Sequence, residues 1–128
     1  MKLTKSQRQA LFERFGGRCA YCGQALRQRW HADHVKAVVR RLHWERGKGL
    51  VPTGELYCPG NDAFENLMPS CAPCNIDKST LDLESWRYEL ERKVEYLNRN
   101  YPIYRHAVRF GLVQETGARV VFHFERDF

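Results

Sequence analysis

Two Cys-x-x-Cys pairs constrain this chain more than any other feature: Cys19-Ala20-Tyr21-Cys22 and Cys71-Ala72-Pro73-Cys74. Two cysteines three apart can approach one ion from a tight turn, and two such pairs complete a tetrahedron of thiolates, the usual structural zinc site. A redox-active dithiol or buried free thiols are the competing reading. The N-terminus is polar and lacks the apolar stretch of an export signal, so the expected compartment is the cytoplasm, where thiols stay reduced and disulfides are rare. The fifth cysteine, Cys58, has no partner at this spacing and reads as a spectator thiol.

The pairs lie 48 residues apart, more than the ~15–20 of a compact zinc ribbon. Closure cost grows only with the logarithm of loop length, so the excess costs about 1 kcal/mol. Structural zinc supplies ~10–16 kcal/mol. The separation is therefore affordable, and it means that something is built between the knuckles.

Local patterns indicate a mixed α+β chain. Residues 4–15 read as a helix: Thr4 and Gln7 form a capping box, Leu11, Phe12 and Phe15 share a side, and Gly16-Gly17 ends it. The segment from Arg29 to about Val35 or beyond has the β-branched and aromatic content of a strand. Alternation places Asp33 and His34 on opposite faces. Residues 40–65, broken by Gly47, Gly49, Pro52, Gly54, Pro59 and Gly60, read as irregular. Asn66 to Pro69 reads as a second short strand, and a short helix begins near Ala72-Pro73 and carries Cys74, Asn75 and Lys78. A longer helix is expected from about Leu83 to Asn98, capped by Asp82, with Trp86, Leu90, Val94 and Leu97 facing the core. Residues 101–113 are ambiguous, with a helix expected after Pro102. Arg119 to Phe124 reads as a strand.

In order along the chain, Cys19-Ala20-Tyr21-Cys22-Gly23, Asp33-His34, Asn66-Leu67, and Cys71-Ala72-Pro73-Cys74-Asn75-Ile76-Asp77-Lys78 resemble the HNH endonuclease family. The resemblance spans 60 residues, Cys19 to Lys78. It implies a small ββα-metal core framed by a four-cysteine zinc site, with flanking N- and C-terminal helices and the C-terminal strand. One domain, 1–128, would comprise a motif core at 19–78 and an extension at 79–128.

The resemblance also implies roles. His34 corresponds to the general base that takes a proton from water. Asp33 and Asn75 correspond to ligands of a catalytic Mg²⁺ or Mn²⁺, distinct from the zinc held by Cys19, Cys22, Cys71 and Cys74. Asn66 corresponds to the residue that fixes the loop and orients the His34 imidazole. Hard divalent cations prefer oxygen and keep several waters, so one carboxylate and one amide oxygen suffice as anchors. The third family position is Asn75 here rather than histidine, and an amide oxygen suits Mg²⁺ or Mn²⁺ better than softer ions.

The formal net charge is +6, from 21 Lys and Arg against 15 Asp and Glu. A basic chain of this size favours a polyanionic partner. Lys78 is a candidate phosphate contact, and Arg40, Arg41, Arg46 and Lys48 are candidate DNA contacts or else a solvated loop. The expected partner is DNA rather than RNA or membrane, with a homodimer or a larger DNA-processing complex open. The rival functions are a zinc-stapled DNA-binding module and an accessory protein, both without catalysis.

Overall fold

The computed structural model describes residues 1–126. The chain divides into two compact units: Met1–Leu83 together with the terminal segment from Phe122, and Glu84–Val121.

The first unit opens with helix α1 (Lys5–Glu13). Thr4 Oγ1 accepts from the Gln7 backbone N–H, and Gln7 Oε1 accepts from the Thr4 N–H, so the expected capping box satisfies two exposed amides. Gly16 and Gly17 follow in the left-handed region at φ 62° and 77°, where a Cβ would be strained, and the helix stops. Leu11 is fully buried and forms the core with Trp30 and Leu67, surrounded by Leu3, Phe12, Leu26, Ala32 and Phe64.

Strand β1 (His31–His34) is shorter than expected and pairs antiparallel with β4 (Leu67–Ser70), with Asp33 opposite Met68 and His34 opposite Leu67. Helix α2 (Ala72–Lys78) follows at once and packs against β1. This gives two strands and a helix in sequence order, with Cys71 at the junction of β4 and α2.

The stretch expected to be irregular is largely a second sheet. Strands β2 (Arg40–Glu45) and β3 (Gly49–Leu56) form an antiparallel ribbon, pairing Leu42 with Pro52 and Trp44 with Leu50. The glycines that read as breakers are what build it. Gly47 and Gly49 take φ 86° and 80° at the turn, and Gly54 takes 85° where the register shifts. Pro52 is tolerated because both strands of a two-stranded ribbon are edges. Two 3₁₀ turns, Pro59–Asn61 and Phe64–Asn66, return the chain to β4.

The expected C-terminal strand is absent among the described residues. The segment has no regular secondary structure before a 3₁₀ turn at His123–Glu125. At its end the backbone bonds to the first knuckle instead of a sheet: the His123 N–H donates to the Tyr21 carbonyl and the Phe124 N–H to that of Ala20. Phe122 and Phe124 stack on each other and meet the Tyr21 ring edge-on.

The second unit contains α3 (Leu83–Glu91, beginning at the boundary), α4 (Lys93–Asn100) and α5 (Pro102–Arg109). The single helix expected over 83–98 breaks at Arg92. The Arg92 N–H bonds to the Glu89 carbonyl, three residues back instead of four, with φ −93° and ψ −3°. That tightening rotates the following face. Trp86 is buried and Leu90 and Leu97 partly so, whereas Val94 is 41% exposed, contrary to the expected core stripe. Proline at the first turn starts α5 as expected. No helix among the described residues is long and apolar enough to cross a membrane.

Candidate metal centre and active site

The four cysteine sulfurs of the two knuckles lie within 4.8 Å of one another. Cys22 Sγ and Cys71 Sγ are 3.8 Å apart. A tetrahedral zinc with Zn–S bonds of about 2.3 Å requires sulfur separations of roughly 3.8 Å, so the cluster has the dimensions to hold one ion. The first knuckle is a tight turn in which the Gly23 N–H bonds to the Cys19 carbonyl, with Gly23 at φ 77°. A Cβ there would stand 3.0 Å from the His123 ring, so glycine also permits that ring to pack beneath the turn. Cys58 is exposed and outside the cluster.

Thiol electrostatics show what a cation would relieve. A hydrogen bond from Cys74 pulls the Cys19 thiol down to about 4. That bond pushes the Cys74 thiol up, and desolvation by burial pushes Cys22 up to about 11. One thiolate forms readily, and its negative charge discourages the others unless a cation joins them.

Tyr21, inside the first knuckle, links this cluster to the next site. Its hydroxyl donates to Asp33 Oδ2 at 2.6 Å. Burial, then the Asp33 charge, pushes the phenol far above its ordinary value, so it remains a donor. The Ala20 N–H bonds to the Pro69 carbonyl and fastens the knuckle to β4.

Asp33, His34 and Asn75 border one cleft of about 550 Å³, whose rim includes Val39, Arg40 and Pro52. Asp33 is 7% exposed, and its protein contacts converge on Oδ2: the Tyr21 hydroxyl, and the Lys78 ammonium at 3.2 Å. Asn75 lies in the first turn of α2, and no contact among the described residues engages its side-chain amide. Asp33 and Asn75 therefore bring one carboxylate and one amide to the cleft, a donor set that fits a hard divalent cation. Lys78 offsets the Asp33 charge.

Lys78 does not occupy the phosphate-binding position expected of it. Its side chain is fully buried, and its ammonium also donates to the His34 carbonyl at 2.9 Å. Its position follows from helical spacing: it lies on the inner face of α2, towards β1, and a buried ammonium needs an acid within reach.

His34 is partly exposed, and its Nε2 meets Asp62 Oδ1 at 2.9 Å. With Nε2–H donating to the carboxylate, Nδ1 carries the lone pair. Asp62 follows the 3₁₀ turn Pro59–Asn61 and was not among the residues expected from sequence; no spacing motif marks it. Its carboxyl is held below the ordinary carboxylate value, first by the His34 hydrogen bond and then by the Met1 ammonium, which is 3.0 Å from Oδ2. Asn66 does not orient the ring as expected. Its amide brackets Lys36, accepting from the Lys36 N–H and donating to the Lys36 and Asn61 carbonyls. Asn66 thus fixes the loop after His34, and Asp62 holds the imidazole.

The expected basic contacts separate. Arg40 borders the cleft. Arg41 is paired with Glu55 at 2.9 Å and Lys48 with Glu45 at 3.5 Å, both at exposed sites, and Arg46 is exposed at the ribbon turn. Comparisons with protein-family models, curated proteins and solved structures return no match for this chain.

Proposed function

We propose that this protein is a metal-dependent DNA endonuclease of the HNH type, which hydrolyses phosphodiester bonds to leave 5′-phosphate and 3′-hydroxyl ends. The observation that carries the reading is the shared cleft. A carboxylate, a histidine with its ring held from behind, and an unengaged amide border one hollow, in the chain order of the family pattern.

The residues divide the work. Asp62 accepts the Nε2–H bond and fixes the neutral tautomer, so His34 Nδ1 can take a proton from a water facing the cleft. Asp62 also stabilises the imidazolium that results. Asp33 and Asn75 would hold Mg²⁺ or Mn²⁺, which when bound supplies Lewis-acid stabilisation of the phosphate and the leaving 3′-oxygen. Tyr21 and Lys78 clamp the Asp33 carboxylate so that one oxygen is presented. Asn66 keeps the loop after His34 in register. Arg40 at the rim is suited to an adjacent phosphate. Zinc on the four cysteines would be structural, because it closes the two knuckles that carry Tyr21 and Asn75.

Supercoiled plasmid incubated with the protein, with and without Mg²⁺ or Mn²⁺, tests this reading. The expected result is metal-dependent relaxed or linear product, lowered about 10²–10⁴-fold by His34→Ala. Cutting that survives His34→Ala removes that residue from its role. DNA binding without cutting under either metal favours a zinc-stapled binding module.

A further inference from the structure

The charge of this chain is unevenly distributed. Residues 1–30 contain seven Lys and Arg and one acid, Glu13, so they carry the whole formal excess of +6, and the remaining residues balance. Part of that excess lines a trough beside α1. One hollow of about 530 Å³ is bordered by Lys5, Arg8 and Arg27; a second of about 770 Å³, which opens onto Cys22, Cys71 and Cys74 of the cysteine cluster, is edged by Arg27 and Arg29. The hollows share Leu26, Arg27 and Trp30, so they form one continuous surface.

The cations of this surface are not spent on the protein's own acids. Lys5, Arg27 and Arg29 are exposed and have no ion-pair partner among the described residues. Arg8 is held by neutral groups: its guanidinium lies 3.9 Å from the centre of the Trp30 ring and donates to the Trp30 carbonyl at 2.9 Å. This fixes its position without neutralising it. Elsewhere in the same unit, Arg41 and Lys48 do pair with acids.

We infer that this trough is a second nucleic-acid site, separate from the cleft, that holds the phosphate backbone of duplex DNA. Four cations spread over a helix and a loop match a row of phosphates better than one small anion, around which donors would converge. Trp30 is 9% exposed and offers little ring face for stacking an unpaired base, which favours backbone contact. Trp30 leads directly into β1, and the four residues of that strand span roughly 13 Å to His34. That is about four base steps of duplex. The trough positions DNA without reading its sequence, and this inference rests on the endonuclease reading for its ligand.

Binding of a short fluorescein-labelled duplex to the full zinc-loaded chain, without Mg²⁺, over about 50–200 mM salt tests it. Lys5→Gln/Arg27→Gln/Arg29→Gln should reduce the slope of log K against log salt by about 2–3 and weaken binding more than tenfold at about 100 mM salt. A control of equal charge change in the second unit, Lys93→Gln/Arg99→Gln/Arg109→Gln, should leave the slope nearly unchanged. An unchanged slope in the trough variant, an equal loss in the control, or no duplex binding by the wild type each overturns the trough. Plasmid cleavage separates the two proposals. A chain that binds through the trough but never cuts retains the trough and loses the nuclease; one that cuts with an unaltered slope does the reverse.

Discussion

The ammonium of Lys78 lies 3.2 Å from Asp33 Oδ2 and is completely shielded from solvent. This pair joins α2 to β1 beneath the cleft, and its second bond, to the His34 carbonyl, holds the strand end that carries the proposed base. A buried pair adds little over a well-packed apolar pair, but breaking one leaves a stranded charge. Lys78→Met should therefore destabilise the first unit by about 3–5 kcal/mol, read as a lower denaturant midpoint. A midpoint equal to wild type would mean that Lys78 is solvated in solution.

Asp62 and His34 give a pH prediction. The Asp62 carboxyl is held below its ordinary value, first by the His34 hydrogen bond, so the folded state binds its proton less readily than the unfolded chain does. Its stabilisation is fully present above the ordinary carboxylate range and is lost as pH falls through the lowered value. The stability difference between wild type and Asp62→Asn should shrink as pH falls below the ordinary carboxylate range and Asp62 is protonated. Thermal melts of both in that acid range check this; a difference that does not shrink there contradicts it.

Asp62→Asn should also slow cleavage with little loss of substrate affinity. The amide can present its NH₂ to Nε2, which favours the tautomer with the proton on Nδ1 and spoils the base. The expected loss in kcat is about 10²-fold, with KM within a few-fold of wild type. Equal activity in the two proteins would remove Asp62 from the positioning role.

The four-cysteine cluster and the cleft should fail together. Tyr21 belongs to the first knuckle and donates to Asp33, and the second knuckle leads into the helix that carries Asn75. Zinc removal, or Cys71→Ser, should unfold the first unit. Circular dichroism with metal analysis checks this, and an unchanged melting curve after confirmed zinc loss would refute it.

Ser79 terminates α2 at φ 49° and ψ −128°, a region that side chains other than glycine rarely enter. The strain costs of order 1–3 kcal/mol, partly offset in a glycine variant by its freer unfolded chain. Ser79→Gly should be stabilising by about 1 kcal/mol, seen as a higher melting temperature. A lower one would show that the backbone relaxes out of this region.

Much of the frame was legible in the sequence because its signals are local. Thr4 and Gln7 cap α1, Pro73 lies in the first turn of α2, and the Cys-x-x-Cys pairs close tight turns; each depends on neighbours a few residues away. The β2–β3 ribbon was hidden because glycine and proline mark turns and bulges as readily as loops, and only cross-strand pairing tells them apart. The C-terminal strand was expected from β-branched and aromatic content, yet those residues found hydrogen-bond partners on the knuckle turn and not on a sheet.

By itself the sequence determined the four-cysteine cluster, the order of two strands and a helix, and the candidates Asp33, His34, Asn66 and Asn75. Tertiary structure alone decided that Lys78 turns inward to Asp33, that Asp62 takes the imidazole, and that Asn66 brackets Lys36. The physical reason is common to all three. A charged or polar side chain settles by the partner and the burial it meets, and for Asp62 that partner lies 28 residues back along the chain, beyond the reach of any local pattern.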